Sequence, residues 1–303
     1  MELINAAEEF LHAKGIPART DMTGAECTTF RTGGRIALFA EPRDAESAAA
    51  ILGFAREEGI PHFIIGNGSN LLVPDEGLDM LFIRLAGGLC SFEVRGDELI
   101  AGAGASFAAA AKHSVAKGLM GLEWAAGIPG TVGGATAMNA GAYGGEVKDV
   151  LKRLTVLRRG AAEEITPAEG SMGYRRSEFS FPGCTVLSAV FGLAQDDGGA
   201  KERMDGFSAR RREKQPLNYP SAGSTFKRPE GYFAGKLIED AGLKGFRIGG
   251  AAVSEKHAGF VVNLGGATSA DVLAVIEAVR ETVYKKFGVM LEPEVRILRS
   301  EAI

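Results

Sequence analysis

The stretch AAGIPGTVGGATAMNAGAYGG, residues 125–145, holds seven glycines and no charged side chain. A core helix would not carry so many, because each glycine costs roughly 1 kcal/mol relative to alanine in a helix interior. A flexible linker would not carry Ile128, Val132, Met138 and Tyr143. The stretch therefore reads as ordered backbone that something approaches closely.

A second glycine loop lies upstream. GNGSN (66–70) directly follows HFII, a short buried strand by its letters. Small residues there let backbone N–H groups converge on an anion. Ser69 and Asn70 add side-chain hydrogen bonds. A diphosphate suits such a nest; a tight strand-to-helix turn explains the same letters. The dinucleotide fingerprint GxGxxG is not met, since Leu71 stands at its last position, and GAGASF (102–107) fails at Phe107. Two glycine loops in one α/β unit suit a single long ligand with a diphosphate in its middle and a flat ring at its end. Bare backbone supplies N–H donors to such a ring, and a flavin dinucleotide meets this description.

The chain has 303 residues, enough for about two domains, with 46% apolar and 24% charged residues. A net charge of −4 gives little support to nucleic-acid binding. No apolar run reaches membrane-spanning length, and the N-terminus lacks the pattern of a signal peptide. Cys27, Cys90 and Cys184 lie far apart and the four histidines are scattered, so neither a disulfide framework nor a metal site is expected, and a reducing cytoplasm is. Spacing predicts helices over 2–14, 45–58, 106–118 and 231–243, a hairpin turning at Gly96-Asp97, and a long helix from Ser269. A basic helix ends before Pro216, after a polar, glycine-bearing run at 196–203 that reads as a boundary.

Six blocks, in order, carry a resemblance: TTFRTGG (28–34), GNGSNLLV (66–73), GIPGTVGGATAMNAGAYGG (127–145), GYRRSEF (173–179), PSAGSTFKRP (220–229) and LEPEVR (291–296). Together they are similar to the UDP-N-acetylenolpyruvoylglucosamine reductases of bacterial cell-wall synthesis, across nearly the whole chain. The resemblance implies an α/β (α+β) fold, a two-lobed FAD-binding unit of the vanillyl-alcohol oxidase type followed by a smaller substrate domain. The expected parts are a helical segment at 1–26, an FAD-binding domain at 27–195 split near 85–100, and a substrate domain at 196–303 whose last strand returns to the active site. Non-covalent FAD is expected on Gly33, on Gly66, Asn67, Gly68, Ser69 and Asn70, and on Gly127, Ile128, Pro129, Gly130, Thr131, Gly134 and Ala135. The short run between Gly144 and Arg175 suggests the form lacking an extra substrate-covering loop. A soluble cytoplasmic monomer is expected, with no nucleic-acid or membrane partner and no metal.

The implied reaction passes a hydride from NADPH to FAD, and then to the vinyl carbon of UDP-N-acetyl-3-O-(1-carboxyvinyl)glucosamine, giving UDP-N-acetylmuramate. Negative charge then develops on a group that already bears a carboxylate, and a useful site must stabilise that state above the ground state. By motif match Arg175 is the carboxylate-binding arginine, Glu294 the acid acting on the same carboxylate, and Ser224 the proton donor to carbon. A guanidinium pairs bidentately and keeps its charge. The glutamate must be protonated, which needs burial or a like charge. Arg175 and Glu294 also fit a plain structural ion pair, and Ser224 a plain turn residue, with Ser221 and Thr225 as near neighbours. Arg210 and Lys214 share a helix face and, with Lys227 and Arg296, are candidate cations for the substrate diphosphate; Tyr143 is a candidate contact. A flavin oxidase and a nucleotide-binding module without chemistry are the competing readings.

Overall fold

Between residues 36 and 83 the chain lays down strands Ile36–Ala40, His62–Ile64 and Leu78–Ile83. Apolar runs of this kind suit parallel strands covered on both faces. In the computed structural model, which describes residues 2–180 and 183–299, all three strands pair in parallel. Ala18–Arg19 closes one edge in the antiparallel sense. Leu38, Leu81 and Ile83 join Leu11 of helix Glu2–Ala13 and Ile51 of helix Ala45–Glu57 in one core; Phe39, Phe63 and Phe82 belong to another. The helix at 45 starts on a capping box in which Asp44 accepts from Ser47 N at 2.8 Å. Strand Leu78–Ile83 accommodates Asp79 because its side chain projects to solvent between buried neighbours, while Leu78 pairs with Ile36.

The middle of the chain builds a five-stranded antiparallel sheet in the order 161–165, 151–158, 184–192, 98–102, 92–95. Its outer hairpin turns at Gly96, φ 62°, with Arg95 opposite Glu98. Phe107 anchors the core beneath, 5.8 Å from Trp124 and 5.9 Å from Phe191 between ring centres. Helix Ala200–Lys214 packs on this same core through Met204 and Phe207. Its Arg203 reaches the buried Glu123 at 2.9 Å. The polar run at 196–203 therefore opens a helix of this lobe, with Asp196 Oδ1 accepting from Ala200 N at 2.9 Å.

The last lobe sets strands Arg247–Ile248, Ala251–Val253 and Val261–Asn263 against helices Ala234–Asp240 and Ser269–Phe287. Val272, Val275, Ile276, Val279 and Val283 are its buried stripe, and Phe30 and Leu72 of the first lobe enter the same core. Polar bonds reinforce that joint. Asp75 accepts from Ser269 N at 2.7 Å and Ala270 N at 2.9 Å, and Asn263 Nδ2 donates to the Phe30 carbonyl at 3.0 Å. Strand Arg296–Ile297 then pairs in parallel with Leu71–Leu72, beside the GNGSN loop. Among the described residues no helix is long and apolar enough to cross a membrane.

Asp75→Ala removes the acceptor for two N–H groups at the start of a long helix and should cost about 1–2 kcal/mol, by analogy with lost helix caps. Urea unfolding checks this; an unchanged midpoint would contradict the role given to Asp75.

Candidate active site

A cavity of about 1250 Å³ runs between the three lobes, and both glycine loops line it. The loops meet directly: Asn67 Nδ2 donates to the Pro129 carbonyl at 2.8 Å. A Cβ on Gly66 would collide with Thr131 Oγ1, and one on Gly68 with the Cys27 carbonyl. Thr131 caps helix Val132–Ala137, accepting from Gly134 N at 3.2 Å. The glycines of 125–145 do not share one cause. Gly133 makes room for Ala103, whose Cβ would lie 2.9 Å from an added Cβ, and Gly145 for Trp124 at 2.5 Å. Gly130 and Gly134 differ. Neither lies at positive φ, and no atom would come nearer than 3.4 Å to an added Cβ. Their bare backbone opens on the cavity, which is the cradle a flat ring requires.

Gly66 through Asn70, Gly127 through Thr131, Gly134 and Ala135 all line this cavity, and their chemistry fits FAD. Gly33 is not among the lining residues. It packs behind the loop at φ 103°, where an added Cβ would stand 2.6 Å from the Val73 carbonyl, and Thr29 of the same block reaches the cavity instead. Asn70 also holds the final strand in place: its Nδ2 donates to the Glu294 carbonyl at 3.1 Å, and its own carbonyl accepts from Arg296 N at 3.0 Å.

Arg175, Ser224 and Glu294 come from three separate segments and line the same cavity. Arg175 sits at φ 55°, a conformation few non-glycine residues adopt. Its Nε is 2.7 Å from Glu294 Oε1, yet the buried Nε–H makes no aligned hydrogen bond. Burial pushes the Glu294 carboxyl above its ordinary value, against the opposing pull of Arg175 and, more weakly, Lys227. Ser224 is exposed in the turn after Gly223, which takes φ 76°. Thr225 is fully buried, its Oγ1 accepting from Val261 N at 2.9 Å, so its hydroxyl has a structural partner. Tyr174 ties two of the segments together: its ring lies under the Arg175 guanidinium at 5.2 Å, and its hydroxyl accepts from Arg228 N at 3.2 Å.

The basic residues sort differently from the expectation. Arg210 and Lys214 are exposed and do not line the cavity; Arg211 between them does. Its guanidinium occupies the space left by the missing Gly127 side chain, and its Nε donates to Gln215 Oε1 at 2.9 Å. Desolvation lowers its pKa, against a weaker opposing pull from Tyr143. A sequence signal existed: Met204, Phe207 and Arg211 stand at i, i+3 and i+7, the inward stripe of the helix. Arg210 lies over the Tyr143 ring at 5.0 Å, and that ring, which lines the cavity, stacks on Phe207 at 4.9 Å. Lys227 is paired with Glu292. Arg296 lines the cavity over Phe63 at 5.4 Å, on the side of the GNGSN loop. Among the described residues no group of three or more His, Cys, Asp or Glu could hold a metal ion.

Comparison with known proteins matches two stretches of the chain to protein families. Residues 36–164, with both glycine loops, match the FAD binding domain family. Residues 215–298, with Ser224 and Glu294, match the C-terminal domain family of UDP-N-acetylenolpyruvoylglucosamine reductase. The enzyme of that name from Exiguobacterium sibiricum is 50% identical over 277 residues, 91% of each chain. That of Agathobacter rectalis is 51% identical over 285 residues, 89% of this chain and 90% of the relative. The crystal structure of UDP-N-acetylenolpyruvylglucosamine reductase from Thermus caldophilus superposes with a TM-score of 0.81 at 34% identity, covering 94% of this chain and 99% of that one. Fold and sequence agree, and the chain belongs to the UDP-N-acetylenolpyruvoylglucosamine reductase family.

Proposed function

We propose that this chain reduces UDP-N-acetyl-3-O-(1-carboxyvinyl)glucosamine to UDP-N-acetylmuramate in peptidoglycan precursor synthesis, with NADPH as reductant and non-covalent FAD. The observation that carries this reading is the Arg175–Glu294 pair on a cavity that Ser224 also lines and that bare glycine backbone walls. Bound FAD would supply the two-electron relay from NADPH to the vinyl carbon.

The chain's own residues do the rest. Loop 66–70 would hold the cofactor's diphosphate on backbone N–H groups, and Gly130 and Gly134 would offer its ring bare main chain. Arg175 pairs with the substrate carboxylate and stays charged while negative charge builds there. Glu294, buried and biased towards its neutral form, donates a hydrogen bond to the same carboxylate. The Ser224 hydroxyl gives the proton to the carbon that bears the carboxylate. Arg211, rather than Arg210 or Lys214, is the cation of the basic helix that meets bound ligand, at the Gly127 loop.

Two measurements test these roles. With Ser224→Ala, NADPH should still bleach the bound flavin anaerobically, while reoxidation by the enolpyruvyl nucleotide should slow by about 100-fold or more. Reoxidation at the native rate would remove Ser224 as proton donor. Arg211→Gln should weaken FAD binding, read by flavin fluorescence, by about tenfold, equivalent to about 1.4 kcal/mol, and Arg210→Gln by far less. Equal effects would contradict the assignment.

A further inference from the structure

Arg175 and Glu294 are partners, with their side chains only 23% and 12% exposed. The substrate carboxylate needs that same guanidinium. Its arrival would leave one cation facing two anions in a largely buried recess, and an uncompensated buried charge is costly. The resting pair is also poorly made for permanence, since the Arg175 Nε–H is not aligned on its acceptor.

We propose that the substrate carboxylate displaces Glu294 from Arg175 and that Glu294 takes up a proton from solvent in the same event, so that binding itself generates the acid the reaction uses. This rests on the reductase reading above. The charges balance: a cation and an anion before binding become a cation, the substrate anion and a neutral carboxylic acid after it.

Among the described residues, the one other cation that pulls on Glu294 is Lys227, and it pulls more weakly. Lys227, from the segment that carries Ser224, is engaged by Glu292. Arg296, two residues along the same strand, lies over Phe63. Asn70, from the glycine loop, is neutral and bonds the Glu294 backbone. Glu146 also feels Arg175 but is held by Lys148 at 2.9 Å and by Asn139 at 2.9 Å. Burial already raises Glu294, and losing Arg175 removes the stronger of the two pulls that oppose it. The sign follows. Where the free protein holds Glu294 ionised, binding consumes a proton and the affinity falls by up to about tenfold per pH unit as pH rises. At pH low enough to protonate Glu294 in the free protein, the uptake vanishes.

Titration calorimetry of the FAD-loaded protein with the enolpyruvyl nucleotide at pH 8, in two buffers of different ionisation enthalpy, counts the protons. The native protein should take up about one per substrate bound, and Glu294→Gln about none. The native protein with the parent nucleotide sugar, which lacks the enolpyruvyl carboxylate, should also take up about none, and this arm needs no variant. Tight binding without proton uptake, or equal uptake in Glu294→Gln, overturns the inference and leaves the reductase reading standing. Failure of the enolpyruvyl nucleotide to bind at all overturns the reductase reading, and this inference with it.

Discussion

The bond from Asn67 to the Pro129 carbonyl closes a seam between two loops of different lobes, and the rest of the site depends on it. The seam exists because Gly66 carries no side chain to strike Thr131. On one side of it stands a body made of the first and last lobes, which share a core through Phe30 and Leu72. On the other stands the antiparallel middle lobe. Ser224 and Glu294 ride on the first body, and Arg175 and Arg211 on the second, or on the helix packed against it. Bringing the loops together therefore brings the reacting side chains together.

The electrostatics at that junction are arranged in opposite senses. Arg175 keeps its charge in any surroundings a protein offers. Glu294 is placed where burial weakens its charge, restrained chiefly by Arg175. One group is fixed and the other poised, which suits a reaction in which a carboxylate must be held and then relieved of added charge. Tyr174 links the same two bodies, touching Arg175 with its ring and the Ser224 segment with its hydroxyl.

Much of this was legible in the letters. The glycine at 68 answers a local need, φ 60°, as well as a distant one, and the run HFII announces the short strand that precedes it. The hairpin at Gly96 follows from turn chemistry. Long-range packing was not legible. Composition changes near residue 200, yet helix Ala200–Lys214 joins the middle core, because two apolar side chains and the Arg203–Glu123 pair outweigh a polar surface. Charge count drew attention to Arg210 and Lys214, whereas the apolar stripe leads to Arg211. The motif around Gly33 is real, but its glycine serves the passage of the chain beside Val73. The glycines of 125–145 looked like one signal and divide into those the protein needs and those that face the cavity.

That division allows a direct test. Gly130 has ordinary backbone geometry and room for a methyl group, with Ser69 Oγ 3.4 Å from an added Cβ. If bare backbone there exists for a flavin ring, Gly130→Ala leaves the thermal stability of the FAD-free protein within about 1 kcal/mol of native and weakens FAD binding by at least about tenfold. FAD affinity unchanged in Gly130→Ala, measured beside the melting curve, would contradict the account.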